Sequence, residues 1–247
     1  MHQTAFPMDA LTIERFTFAW KTIQARTFGR RLPWTALVPF ADCLNHANVA
    51  TTYDFDTDHN GLFRLFTGSG THFGIGHQVF NSYGRRPNFQ LLLDYGFALT
   101  DNEWDYVDVT IPMDTVRALG PRCGIRKVLR LDRRTQVDTL LPKEAFAHGS
   151  ALRAPRMPRL EALRLVQSQI DAFRVQLGTD VEADEDRISR NDSEMSERLR
   201  MAIVYRLGQQ KVLDAVLSQI EEHIQKCSDD DRLDDLEQEF QWLETTF

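Results

Sequence analysis

The sequence predicts an α+β protein, with a partial β-sheet core in the first 112 residues and an all-helical part after it. Three observations lead there. Residues 51–83 hold short apolar stretches broken by Gly, Asn and Asp turns, as hairpin strands do. The chain loses that character after Pro112. Beyond it, apolar residues recur at three- and four-residue spacing over 160–177 and again over 199–224, which argues amphipathic helices.

Element by element, residues 8–27 read as a helix, with Leu11, Phe16, Ala19, Trp20 and Ile23 at helical spacing and Asp9 able to cap its start. Pro33 and Pro39 bracket an extended apolar segment, Trp34 to Phe40. Strands are expected at Thr52–Phe55, Gly61–Phe66 and Gln78–Tyr83, with turns at Asp58–Gly61 and in the glycine cluster Gly68–Gly76. Asn88–Asp94 reads as a short helix ended by Gly96, and Val107–Ile111 alternates as a strand. Residues 113–149 connect the two parts, and Arg153–Pro158 reads as a linker.

The second part, 150–247, opens with a helix whose stripe is Leu160, Leu163, Val166, Ile170, Phe173 and Leu177, stopped by Gly178. Asp180–Asp186 reads as an acidic loop. A long helix then starts at Ser193 or Ser196 and runs to about Lys226, with Leu199, Ile203, Leu207, Leu213, Leu217, Ile220 and Ile224 as its buried side and a bend invited at Gly208. Phe240, Trp242, Leu243 and Phe247 give the acidic tail a means of docking.

Bulk properties narrow the function. A net charge of −7, from 29 basic and 36 acidic residues, argues against general affinity for nucleic acid or anionic membrane. The local basic run Arg122–Arg134, with Arg153, Arg156 and Arg159, lacks interleaved aromatics and reads as solvated surface. Cys43, Cys123 and Cys227 are scattered, so neither a zinc site nor a disulfide framework is expected. The amino terminus lacks the charge and apolar run of a signal peptide, and no apolar run reaches bilayer length. A soluble, cytoplasmic monomer is the expectation.

Residue chemistry alone suggests little. Gly68-Ser-Gly70 lacks the third glycine and the βαβ unit of a dinucleotide site. His72 and His77 read as surface residues, and Asp54, Asp56 and Asp58 lack the Gly and Glu of a calcium loop.

Four motifs in order carry more: Arg26-Thr-Phe28, Asp42-Cys-Leu-Asn45-His46, Tyr83-Gly84, and Asn88-Phe-Gln-Leu-Leu-Leu-Asp-Tyr95-Gly96-Phe97. Together they resemble the second half of a SET domain of the Rubisco large-subunit lysine methyltransferase class. Glu185-Asp186 and Arg198–Ile203 look, more loosely, like that class's helical substrate-binding domain. The resemblance implies a SET portion over 1–112, including the remnant of a helical insertion, and the helical domain over 150–247. It also implies transfer of a methyl group from S-adenosyl-L-methionine to a lysine of a non-histone protein.

In that scheme Tyr83 is catalytic, its hydroxyl aimed at the transferring methyl and the amine. Taken alone, a buried tyrosine bonded to a carbonyl is the ordinary reading. Arg26, Asp42, Asn45, His46 and Tyr95 would hold or brace the donor, and Phe28 and Phe97 would wall the lysine channel. An aromatic at Phe28 favours lysine over histidine, because it offers an imidazole nitrogen no hydrogen bond. Protein-histidine methylation stays an alternative.

The class opens with a glycine-containing, donor-contacting strand that has no counterpart ahead of Met8. The chain is therefore expected to begin inside the domain, as a fragment of a longer enzyme or as a catalytically incomplete interaction module.

Overall fold

The structure, a computed structural model, describes residues 12–29, 32, 34–56, 61–112, 128–140, 159–178, 180–190 and 194–246; the side chains of residues 138, 139, 159 and 228–246 lie outside the description. The architecture is α+β. It divides into two compact units, Met1–Asn102 and Glu103–Phe247. The expected boundary at 112 thus falls inside the second unit, because the strand expected to close the first part packs with the helices instead.

In the first unit, helix α1 spans Ile13–Arg26, and Thr12 caps it by accepting a hydrogen bond from the Arg15 N–H. The Asp9 cap lies outside the described residues. Although Phe16, Trp20 and Ile23 share a stripe, α1 buries none of its side chains, and Phe16 and Trp20 stack on each other with centroids 6.3 Å apart. Strand β1 (Thr27–Phe28) pairs antiparallel with β2 (Ala36–Leu37). Phe40, at φ 71°, then turns the chain into a short 3-10 helix, Ala41–Cys43.

Strands β3 (Thr51–Asp56) and β4 (Leu62–Thr67) form an antiparallel hairpin in register Thr51 with Thr67. Gly61 at φ 64° belongs to the turn, where a Cβ would be disfavoured; Asp58, His59 and Asn60 lie outside the described residues. Arg64 lies 3.2 Å from Asp54 and 3.1 Å from Asp56, so these carboxylates serve an ion pair across the hairpin.

The strand expected at Gln78–Tyr83 is corrected. This segment makes a single parallel bridge, Asn81 with His46, and without further ladder bonds it is extended chain rather than a strand. Helix α2 spans Asn88–Tyr95 and ends as expected at Gly96, whose φ of 81° and N–H bonds to the Leu91 and Leu92 carbonyls close its last turn.

The second unit holds the larger core. Strand β5 (Tyr106–Thr110) pairs antiparallel with β6 (Val128–Asp132), burying Val107, Val109, Leu129 and Leu131 on one face. Helix α3 (Val137–Leu140), α4 (Arg159–Gln176) and α6 (Glu197–Thr246) add Val137, Leu140, Leu163, Val166, Ile170, Leu213, Val216, Leu217 and Ile220 to the same cluster. Each such side chain contributes about 1.5–3 kcal/mol by leaving water. Of the expected α4 stripe, Leu163, Val166 and Ile170 are buried, while Phe173 and Leu177 pack half-buried against the cluster and Leu160 is half-buried.

Three expectations about the second unit are corrected. Asp180–Asp186 is not a loop: Asp180 caps helix α5 (Val181–Ser189) by accepting from the Ala183 N–H, and Glu182 and Asp184 suit the positive end of its dipole. Leu199 is exposed rather than buried. Helix α6 continues past Lys226 to Thr246, through a stretch with Leu, Glu and Gln, all good helix formers. At the start of α6 the Ser196 hydroxyl oxygen accepts from the Leu199 N–H at 3.3 Å. Ser193, the linker at 153–158 and most of the 122–134 basic run lie outside the described residues, as do the side chains of the apolar tail. Among the described residues no helix is long and apolar enough to cross a membrane.

Candidate active site

Two segments far apart in sequence lie side by side in the first unit. The Asn81 N–H donates to the Asn45 carbonyl at 2.9 Å, and the Ala47 N–H donates to the Asn81 carbonyl at 3.2 Å, flanking the His46–Asn81 bridge. Thr51, at the start of β3, secures the same crossing. Its hydroxyl donates to the Asn81 Oδ1 at 3.0 Å and accepts from the Ser82 N–H at 2.8 Å.

This crossing delivers Tyr83 to a fixed place. Its N–H donates to His46 Nδ1 at 3.0 Å and its hydroxyl donates to the Leu44 carbonyl at 2.7 Å. The Tyr83 and His46 rings stack at 5.0 Å with planes 21° apart, and the Tyr95 ring approaches Tyr83 to 4.8 Å. His46 Nδ1 lies 3.0 Å from the Tyr83 N–H and 3.3 Å from the Asn81 carbonyl; in the tautomer that carries its proton on Nε2, Nδ1 accepts from Tyr83.

Beside Tyr83 opens a cleft of about 690 Å³. Arg26, Phe28, Asp42, Tyr83 and Tyr95 line it, together with polar groups from Thr51, Asn81, Ser82, Arg86 and Gln90. The end of α1, the 3-10 turn, the start of β3 and the 81–86 segment each contribute one wall.

Charge in the cleft leans positive, with Arg26, Arg85 and Arg86 against Asp42. Arg26 reaches across to the Asp42 segment, donating to its backbone carbonyl at 3.0 Å and lying 3.7 Å from its carboxylate. Arg86 donates to the Tyr83 carbonyl at 3.0 Å, lies 3.5 Å from Asp94 and sits 5.6 Å from the Tyr95 ring centroid. Burial, and then the proximity of Tyr95, raise the Tyr83 phenol above its ordinary range; burial likewise raises Tyr95 against the opposing charge of Arg86. Both hydroxyls are therefore neutral donor–acceptors at physiological pH.

Of the residues singled out from sequence, Tyr83, Arg26, Asp42, Phe28 and Tyr95 meet at this cleft. Phe28 is buried at its wall, edge-on to Tyr53 at 5.1 Å and to Phe63 at 5.0 Å. Asn45, His46 and Phe97 do not line it. Asn45 is exposed and contributes its backbone carbonyl to the crossing. His46 is buried behind Tyr83, and Phe97 packs against both rings, 6.0 Å from His46 and 6.4 Å from Tyr83.

Sequence reasoning missed the polar frame. Asn81 and Thr51 hold the crossing, and Asn88 and Asn102 anchor the chain below Arg86, with Asn102 Nδ2 donating to the Arg86 carbonyl at 2.8 Å and to Asn88 Oδ1 at 3.3 Å. Buried asparagines within otherwise apolar motifs were the available signal, since each must find hydrogen-bond partners. Among the described residues, no group of three or more His, Cys, Asp and Glu side chains is placed to hold a metal ion.

No protein-family profile matches the chain. Among curated proteins, the chloroplastic fructose-bisphosphate aldolase-lysine N-methyltransferase of Arabidopsis thaliana is 25% identical over 83% of this chain and 50% of its own length. The chloroplastic ribulose-1,5-bisphosphate carboxylase/oxygenase large-subunit N-methyltransferase of Pisum sativum is 34% identical over 37% of this chain and 20% of its own. Among solved structures, Rubisco LSMT bound to sinefungin and monomethyllysine aligns with a TM-score of 0.48 at 20% identity, covering 86% of this chain and 55% of that one. The matches span at most half the length of these curated relatives. In sequence the chain is similar to protein-lysine N-methyltransferases of the Rubisco-methyltransferase class, the class its four motifs resemble.

Proposed function

We propose that this protein takes part in methyl transfer from S-adenosyl-L-methionine to a lysine side chain of a non-histone protein. The observation that carries the reading is the meeting of Tyr83, Arg26, Asp42, Phe28 and Tyr95 at one cleft. Its volume lies within the ~300–1,000 Å³ typical of small-molecule sites. The residues present suit the donor: Arg26 for its carboxylate, Asp42 for its ammonium, and the Thr51–Asn81 frame for polar edges. When bound, S-adenosyl-L-methionine supplies an electrophilic methyl on a cationic sulfonium.

The chain's own residues would act on the lysine. With its proton committed to the Leu44 carbonyl, the Tyr83 oxygen keeps lone pairs that can accept from an amine N–H and orient the nitrogen. A free lysine amine titrates near ~10.4, so it must lose a proton before it can attack. Arg26, Arg85 and Arg86 around the cleft disfavour the ammonium, and the aromatic surfaces of Phe28, Tyr83 and Tyr95 exclude water. Alignment of the neutral amine is then the main catalytic contribution. Phe28, packed among Tyr53 and Phe63, offers no polar group to an imidazole, which supports lysine over histidine as the acceptor.

Titration calorimetry with S-adenosylhomocysteine, followed by labelled-methyl transfer into a cell extract, tests the reading. Saturable binding and label on protein lysines are expected. A folded protein that neither binds nor transfers would leave the interaction-module alternative in its place.

A further inference from the structure

We infer that His46 is a positioning residue for Tyr83, its imidazole clamping the Tyr83 backbone and ring against the cleft wall instead of contacting the methyl donor. The inference rests on the methyl-transfer reading for its consequence, but its geometry stands on the first unit alone. His46 is 5% exposed and absent from the cleft lining, so it reaches the site only through its neighbours.

Tyr83 is tied at both ends to one short stretch of chain. Its hydroxyl is held by the residue-44 carbonyl and its N–H by the residue-46 imidazole, while the stacked rings limit rotation about the side chain. The N–H needs this acceptor because the 78–83 segment has no ladder beyond the single bridge at Asn81. Without that acceptor this half-buried amide is left unpaired, and the segment loses the bond that holds it in place.

A plain aromatic at 46 could stack but could not accept. Histidine does both, and its Nε2 has no hydrogen-bond partner among the described residues. The nitrogen that is used is the one facing Tyr83. The groups around the ring are the Tyr83 and Phe97 rings, the Asn81 carbonyl 3.3 Å from Nδ1, and the charge of Arg86.

The test compares the full chain with His46→Phe and His46→Asn. Phenylalanine keeps the stacking and removes the acceptor; the Asn Oδ1 can stand where Nδ1 stands. Three readouts are taken: hydrogen exchange at the Tyr83 amide, affinity for S-adenosylhomocysteine, and labelled-methyl transfer.

In His46→Phe the Tyr83 amide should lose its exchange protection and transfer should fall on the order of 100-fold, the scale of a ~1 Å misplacement, with donor affinity unchanged. His46→Asn should recover both protection and transfer. Unchanged Tyr83 protection in His46→Phe overturns the clamp, as does donor affinity that falls in step with transfer. Should His46→Phe fail to fold, His46→Asn decides: an unprotected Tyr83 amide in that folded variant overturns it equally. A wild-type chain that transfers no methyl overturns the activity reading, while the exchange result still decides the clamp.

Discussion

The Tyr83 hydroxyl donates to the Leu44 carbonyl at 2.7 Å across 39 residues of sequence, and the same phenol forms part of the cleft wall. The ordinary reading of a buried tyrosine and the functional one thus coincide. The hydrogen bond that satisfies the hydroxyl also fixes where its lone pairs point.

Tyr83→Phe separates the two consequences. Loss of one neutral hydrogen bond should reduce stability by about 1 kcal/mol, leaving the Leu44 carbonyl without its donor. Methyl transfer should fall roughly 100-fold or more, because the group that orients the amine is gone. Urea denaturation and single-turnover transfer measure the two effects on the same samples. Undiminished transfer would remove the catalytic role from Tyr83 and leave it a packing residue.

His46 makes the first unit sensitive to mild acid. Burial lowers its folded-state titration below the ordinary 6.5, with the nearby charge of Arg86 adding to the effect and the Asn81 carbonyl opposing it. The unfolded chain therefore binds a proton at a pH where the folded one does not. Stability is fully present above 6.5 and declines as pH falls below that value toward the folded-state titration. Thermal unfolding between pH 5 and 8 should show this decline, and His46→Asn should remove the part due to this residue. An identical pH dependence in both proteins would exclude His46 as its source.

The helices α4 and α6 of the second unit were legible because their buried faces obey a simple period. Leu163, Val166 and Ile170 on α4, and Leu213, Leu217 and Ile220 on α6, are buried where three- and four-residue spacing puts them. Helix α5 was not legible from its acidic run, since solvated loops and helix starts share the same residues; Asp180 as a cap was the distinguishing clue. The site was half legible. Motif resemblance marked the aromatic and charged walls, whereas Thr51, Asn81, Ser82 and Arg86 come from separate segments with no period to announce them. The resemblance assigned Asn45 and His46 to the donor largely through backbone groups and the Asn amide. That role does not require the His46 side chain, which lies behind the tyrosine.

Asn88 gives a direct measure of that hidden polar frame. It is fully buried and binds the backbone of Leu99 twice, donating to the carbonyl at 2.9 Å and accepting from the N–H at 2.8 Å. Asn88→Ala removes both of these and the bond from Asn102 Nδ2, and strands two backbone groups of Leu99, which should destabilise the unit by roughly 2–4 kcal/mol. Urea unfolding followed by tryptophan fluorescence reads the change. A loss below about 0.5 kcal/mol, the scale of a neutral surface substitution, would mean that water replaces the side chain.

In the second unit, the Asp184 carboxylate on α5 receives hydrogen bonds from both Nε and a terminal nitrogen of Arg206 on α6. The pair is asymmetric: the Asp184 side chain is 4% exposed and that of Arg206 38%. Removing the arginine leaves a carboxylate with little access to water, whereas removing the carboxylate leaves a guanidinium that can reach solvent. Arg206→Met should therefore cost about 3 kcal/mol, and Asp184→Asn nearer 1 kcal/mol, with salt screening weakening the latter effect. Chemical denaturation of the two variants gives the order. If Asp184→Asn proved the more damaging, the carboxylate would be doing something besides pairing, and the N-terminal turn of α5, where it also meets the helix dipole, would be the place to look.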